Sequence, residues 1–443
     1  MNFLKKNFSL ILLIISNLFL FYTIYRSEFF WDGNNRKFYY IYYLISFTLI
    51  FFSIISFYIS QKIKEYLIII FIGSFTSIYL FEGYLTFNNH YLKEKTYWNK
   101  TGNKWDRRTL LQIYEDKKIQ NNEIVVTVSP DSYLKKSNLI FPLSGISNSE
   151  TINCNENGYY SIYKSDRFGF NNPDAEWDKK DVEYLLIGDS FAHGACVNRP
   201  NDIGSVLRIL SKKAVLNLGY GGNGPLIEYA TLREYLKKNV KKILWIYYEG
   251  NDLENIQNEK DNIILKNYLT DPTFTQNLRL RQKKIDNQAT NYIIERQNDA
   301  RRDMNRNNET FIFIFFKFIK LYNIRNLNFS FQSYTEKSKL SDQISEFQKI
   351  IKSVKNLAIE NNSELYFVYL PAWSRYKYAY EYNDYHLIKE MLDKLEIPFI
   401  DIHEQVFNKE QNPLKLFPFE LMGHYNIDGY KKVSEKIYQL IKD

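Results

Sequence analysis

Long uncharged apolar runs fill the first 90 residues, and short apolar runs separated by mixed helical stretches fill the second half of the chain. No charged residue occurs from Asn7 to Tyr25 or from Phe38 to Gln61. Each of these stretches is long enough to cross a roughly 30 Å hydrocarbon core as a helix. A third stretch, Tyr66 to Phe87, is uncharged as far as Phe81 and carries Glu82 near its far end, within reach of an interface. The pattern predicts three transmembrane helices over 7–25, 38–61 and 66–87, a surface-lying helix being the other reading of the third. Lys5 and Lys6 precede the first span, and Lys62 and Lys64 lie between the second and third. Basic residues favour the cytoplasmic side, so the amino terminus is expected inside, and the residues after about 90 periplasmic or extracellular. Arg26, Arg36 and Lys37 in the first loop oppose this weakly. No small-residue cleavage site follows the first span, which therefore reads as a retained anchor of a multi-pass cell-membrane protein. If the third stretch does not cross, the remainder is cytoplasmic instead.

Residues 90–180 have few sustained apolar patterns and read as a connecting region with short strands such as Glu123 to Val128. From 181 onward the pattern changes. Tyr184–Ile187, Ala214–Leu218, Ile243–Tyr248, Leu365–Leu370 and Pro398–Ile402 are apolar runs of strand length, each separated from the next by helical patterning. Fully apolar strands alternating with helices imply a parallel sheet covered on both faces. The predicted fold is α/β, a doubly wound parallel-sheet domain over 181–443 behind a membrane anchor over 1–89. A helical insertion at about 254–345 carries the run Phe311–Phe318, read either as a helix on the domain core or as a segment resting on the membrane or covering an apolar channel.

Composition changes this picture little. Apolar residues make up 45% of the 443 and charged residues 24%, which excludes a disordered or collagen-like chain. The net charge of +8 is scattered rather than blocked, giving no indication of a nucleic-acid partner. Two cysteines exclude a disulfide-rich scaffold or a four-cysteine zinc site. Cys154 and Cys196 are read either as a disulfide stiffening the loop after Ser190 or as two buried thiols; a bridge requires an oxidising compartment.

Four pieces sit at strand ends or near the terminus, where open α/β sheets place their ligands. Gly188-Asp189-Ser190 follows the first strand of the domain, with a helix expected from about Ala192. Asn217-Leu218-Gly219-Tyr220-Gly221-Gly222-Asn223-Gly224-Pro225 follows the second, and Glu249-Gly250-Asn251-Asp252 the third. Gly423-His424-Tyr425-Asn426 precedes a terminal amphipathic helix from about Lys431 to Ile441. Singly, these also read as a tight turn, a flexible loop, a helix N-cap and a solvated histidine. A serine on a strand-to-helix turn can be a nucleophile, a glycine-rich loop and an asparagine can donate to an oxyanion, and a histidine can serve as base.

In that order the four pieces resemble the blocks of the SGNH (GDSL-type) hydrolases, over about 183–441 without the insertion. The resemblance implies Ser190 as nucleophile, His424 as its base, and an oxyanion hole from the Ser190 and Gly222 N–H groups and the Asn251 side chain. Ser165-Asp166-Arg167-Phe168-Gly169-Phe170-Asn171 is similar to the segment before the nucleophile in envelope-anchored members. Those members imply esters of envelope polysaccharide or glycolipid as substrates, hydrolysed or transferred, and for transfer a separate membrane protein supplying the acyl group. The family's usual Asp, three residues before the histidine, is Leu421 here. Glu420, a backbone carbonyl, or nothing beyond a Ser-His dyad then orients the imidazole; a catalytically weak glycan-binding or assembly module is the alternative. His193, three residues past Ser190, reads as local packing or a substrate contact, while His90, His386 and His403 lack ligand spacing, so neither metal nor cofactor is expected. Asp189 and Asp252 are expected to brace their loops.

Overall fold

The computed structural model describes residues 2–30, 33, 36–136, 140–306, 318–321, 324, 337–377, 382 and 384–442. The chain divides into two units, Met1–Asn89 with Thr310–Phe329, and His90–Glu309 with Ser330–Asp443.

In the first unit three helices, Asn2–Ile24, Arg36–Ile55 and Gln61–Thr101 (the last extending beyond the unit), the first two with the helical turns Tyr25–Phe30 and Ser56–Tyr58 that follow them, contain stretches long and apolar enough to cross a membrane: Lys5–Phe30, Tyr39–Tyr58 and Gln61–Leu85. The bounds differ from those expected because helices do not stop at the first charge. The first continues through a π-helical turn, Tyr25–Phe30, and the third begins at Gln61, ahead of Lys62, Lys64 and Glu65. Glu65 pairs with Lys5 at 2.5 Å, joining the two helix ends. Ser9, Ser16 and Thr23 recur every seven residues and are buried, as are Ser46, Ser53 and Ser56. Small residues at that spacing let helices approach closely, and Ser9 Oγ donates to Ser56 O at 2.9 Å across the seam between the first two helices. Most of the apolar run Phe311–Phe318 lies outside the described residues. Its last residue, Phe318, packs on Tyr79 of the third helix, ring centroids 5.3 Å apart. Tyr79 Oη donates to Ile319 O, and Ile324 N–H to the buried Glu82 carboxylate at 2.8 Å.

The second unit opens with a three-stranded sheet: β1 (Val125–Val126) pairs parallel with β2 (Glu150–Ile152), which pairs antiparallel with β3 (Ile162–Lys164). The expected Glu123–Val128 strand shrinks to two residues because Thr127 leaves the ladder after donating to Ile152 O. The larger sheet has β4 (Val182–Gly188), β5 (Val215–Asn217), β6 (Val240–Tyr248), β7 (Glu364–Leu370) and β8 (Phe399–Asp401), all parallel in the order β5-β4-β6-β7-β8. Beyond the charged residues at their starts (Glu183, Lys241, Lys242 and Glu364), its central strands β4, β6 and β7 are uncharged because both faces are covered. Ile243, Trp245 and Tyr247 of β6 pack with helices Pro225–Tyr235 and Lys337–Glu360, while Leu244 and Ile246 pack with Ile203–Ser211 and Ile427–Ile441. The terminal helix starts four residues earlier than its apolar pattern, since Asn426 caps it by accepting from Gly429 N–H at 2.9 Å.

The strand order reverses at β4, with β5 on one side and β6 on the other. The crevice beyond the carboxyl ends of β4, β5 and β6 is where the three loop motifs meet.

Candidate active site

Ser190 is the first residue of a four-residue helix, Ser190–His193, two positions earlier than expected, because Asp189 caps it by accepting from Phe191 N–H at 2.8 Å. The turn fixes Ser190 at the crevice with its hydroxyl partly exposed, while Asp189 beneath is fully buried. His424 arrives from the other end of the chain, on the segment leading into the terminal helix. Its ring lies 4.8 Å from that of Phe191, which stacks on Tyr248 at 3.9 Å, and Tyr425 anchors the segment by donating to Pro371 O at 2.7 Å. His424 Nε2 then stands 2.8 Å from Ser190 Oγ, although 234 residues separate them in sequence.

The imidazole's other nitrogen meets a group the sequence reading did not nominate. Glu156, from the connecting region, receives His424 Nδ1 at Oε1 (3.1 Å) and the His424 backbone N–H at Oε2 (2.7 Å). One carboxylate therefore fixes both ring and backbone. Glu420, four residues before His424, makes no hydrogen bond to the ring; its carbonyl accepts from Trp373 Nε1. The acid on the imidazole thus comes not from position 421 but from 268 residues away.

Cys154 and Cys196 are joined in a disulfide. The bridge ties the Glu156 turn to the loop after Ser190, and Asn157 Nδ2 adds a 2.9 Å bond to Cys196 O. The pairing held the missing signal, since an acid two residues from Cys154 must lie near whatever Cys196 lies near. Cys196, Glu156 and His424 bring ligand-type atoms within 4.8 Å of one another. Because that sulfur is already bonded to Cys154, the cluster offers a metal no thiolate.

Gly423 explains how closely the acid approaches. A Cβ there would lie 2.7 Å from Glu156 Oε2. Gly423→Ala is expected to displace the carboxylate and lower kcat about ten- to hundredfold, with KM nearly unchanged. Steady-state kinetics on an ester substrate check this, and an unaltered kcat would show that the close contact is not needed.

Gly222 and Asn251 follow β5 and β6 and line one cleft. Gly222 sits at φ +77°, a conformation that favours glycine. Next to it, a Cβ on Gly221 would lie 4.0 Å from Ser190 Cβ, so this loop passes directly beside the serine. Asn251 stands at the N-cap of Asp252–Glu259 without capping it, and its Oδ1 has no partner among the described residues. The side chain is not consumed by holding the helix. Asp252 does brace its loop, accepting from Tyr248 N–H at 2.7 Å.

The electrostatics separate two groups of acids. Burial lowers the His424 pKa, but the hydrogen bond and charge of Glu156 and the charge of Asp189 outweigh it, so the value ends above the usual 6.5. Beneath the site burial pushes Asp189 up to about 6 and Glu259 up to about 8. Burial and neighbouring acids raise Glu228 and Asp252 further. Glu228, Asp252 and Glu259 are thereby held neutral near pH 7, while Asp189 keeps the charge that acts together with Glu156 on the imidazole. His193 is buried between Tyr163 and Tyr220, and burial with the charges of His424 and Arg199 lowers it to about 3. It is packed in the core, as the first of the two readings expected. Its helix is held by the upstream segment, since Asn171 Nδ2 donates to His193 O at 3.1 Å.

No family model matches the chain, and no curated protein matches it. Among solved structures it is similar to a G-D-S-L family protein from Desulfitobacterium hafniense DCB-2 and to an acetyl xylan esterase. Each is 13% identical with a TM-score of 0.33, covering 59% of this chain and 100% of the other.

Proposed function

We propose that the chain is a membrane-anchored serine esterase of the SGNH type, acting on ester-linked acyl groups through Ser190, His424 and Glu156. The observation that carries this reading is the Ser190–His424–Glu156 relay, with contacts of 2.8 and 3.1 Å. Glu156 holds the proton on Nδ1, leaving the Nε2 lone pair toward the hydroxyl. Ser190 Oγ attacks the ester carbonyl while its proton passes to Nε2, and the tetrahedral oxyanion is received by donors at Ser190, Gly222 and Asn251. The C–O bond to the alcohol then breaks, the imidazolium returns the proton to the departing oxygen, and an acyl-serine remains. Water completes hydrolysis; a sugar hydroxyl in its place completes O-acyl transfer, which would call for a separate membrane protein to supply acyl groups.

Three apolar helices support anchoring in the cell membrane. The Cys154–Cys196 bridge favours a domain outside the cytoplasm, where disulfides persist, and hence acylated envelope polysaccharide or glycolipid as substrate. A binding module without catalysis would have no use for a carboxylate on Nδ1.

Fluorophosphonate labelling of membranes containing the intact protein tests the reading. Wild type is expected to label, and equally folded Ser190→Ala and His424→Ala to lose the signal. Folded wild type that fails to label would sink the esterase and leave the binding module.

A further inference from the structure

The cleft that contains Gly222 and Asn251 has a volume of about 660 Å³, within the range of small-molecule sites. Among its described lining residues only Leu134 has an apolar side chain; the others besides Gly222 are amides, acids, a serine and a lysine. Such a surface gives a long acyl chain nothing to bury against. It instead offers donors and acceptors to hydroxyl groups.

Asp131 is the unusual member. It comes from the connecting region and is exposed, and a Cβ on Gly222 would lie 2.5 Å from its Oδ1. Ser129 Oγ donates to Oδ1, while Oδ2 makes no hydrogen bond among the described residues. A carboxylate this close to an oxyanion donor opposes the negative charge that the reaction develops, so its presence points to a task in binding. The other exposed charges of the cleft are Asp261 and Lys135, and Glu259, held neutral by burial below about pH 8, adds none. The mouth of the cleft is therefore acidic on balance.

Resting on the esterase reading above, we propose that this cleft binds the alcohol part of the ester as an uncharged sugar, and that Asp131 both accepts sugar hydroxyls and rejects sugars carrying a carboxylate. Bonds form and break as already described, so the inference concerns which alcohol is held while Ser190 is acylated.

The test uses full-length protein in detergent with two probes, the acetyl ester of a neutral hexoside and that of the matching hexuronoside. Wild type is expected to turn over the neutral ester with a kcat/KM about five- to tenfold higher, the scale of one nearby like charge in partly solvated surroundings. Added salt should shrink that ratio. Asp131→Asn keeps the shape and one acceptor and is expected to bring the ratio close to one, through higher kcat/KM on the hexuronoside. Asp261→Asn, in the exposed turn between helices Asp252–Glu259 and Ile263–Thr270, is expected to move it less and serves if the first variant does not fold. Preference for the hexuronoside, a ratio unmoved by both variants, or turnover of p-nitrophenyl acetate with neither sugar ester accepted would each overturn the proposal. Absence of both p-nitrophenyl acetate turnover and fluorophosphonate labelling would instead overturn the esterase reading on which it rests.

Discussion

Glu156→Gln is expected to lower kcat by about 10²- to 10⁴-fold while KM changes little, the scale seen when a base loses its orienting acid. The carboxylate accepts from two donors at once, His424 Nδ1–H at Oε1 and the His424 backbone N–H at Oε2. An amide of the same shape has one acceptor. If its oxygen takes the backbone N–H, its NH₂ faces Nδ1 and drives the ring to the tautomer with a proton on Nε2, which cannot receive one from Ser190. If it flips, two N–H groups collide at the backbone. The pH profile separates this role from simple packing. Activity requires neutral His424, so the rate of the wild type should rise with pH through an apparent pKa above 6.5, where Glu156 and Asp189 have raised it. Removing the Glu156 charge leaves burial, which favours the neutral ring, less opposed. The acidic limb should therefore move to lower pH in the variant even as the plateau falls. A variant with wild-type kcat, or with an unmoved acidic limb, would remove Glu156 from the relay.

The parts of this site that could be read from the sequence are those whose geometry is local. Ser190, Gly222 and Asn251 each follow an apolar strand, and the parallel order of β5, β4 and β6 carries all three loops to one edge. His424 could be named only through the resemblance in block order; the terminal amphipathic helix after it packs back on the same sheet through Tyr430, Val433 and Ile437. Glu156 could not, since residues 90–180 have no sustained periodicity and strands as short as Val125–Val126 leave little pattern. What places it is a covalent crosslink and a set of turns, not a run of side chains on one face. Helix starts escape the apolar pattern for a related reason, as Asp189 and Asn426 start helices by capping before any apolar periodicity begins. The run Phe311–Phe318 shows the limit of composition: at Phe318, the residue described, the partner is Tyr79 of a helix long and apolar enough to span a membrane, a choice that length and hydropathy do not make.

Opening the Cys154–Cys196 bridge, by reductant or by the double substitution Cys154→Ser and Cys196→Ser, is expected to cost activity and stability together. The residues are 42 apart in sequence, and loop-closure entropy for such a length corresponds to about 4 kcal/mol of lost stability. Melting of the detergent-solubilised protein should show this as a lower transition temperature. The effect on catalysis has a separate origin. Glu156 is two residues from Cys154, and Cys196 lies six beyond Ser190, so the bridge joins the acid's turn to the nucleophile's loop beside His424. After opening, Asn157 Nδ2 to Cys196 O at 2.9 Å and Asn155 Nδ2 to Asp106 O at 2.9 Å still hold the turn, but both are single hydrogen bonds. Each is worth on the order of 1 kcal/mol. Glu156 should then spend part of its time away from Nδ1, and at temperatures well below melting kcat should fall about tenfold or more. The acidic limb should shift downward in the same direction as in Glu156→Gln. That shared shift is the diagnostic, because general loosening of the fold would lower the active fraction without moving a pKa. Reduced protein that keeps the wild-type kcat and pH profile would limit the bridge to stability and leave the placement of Glu156 to the hydrogen bonds around it.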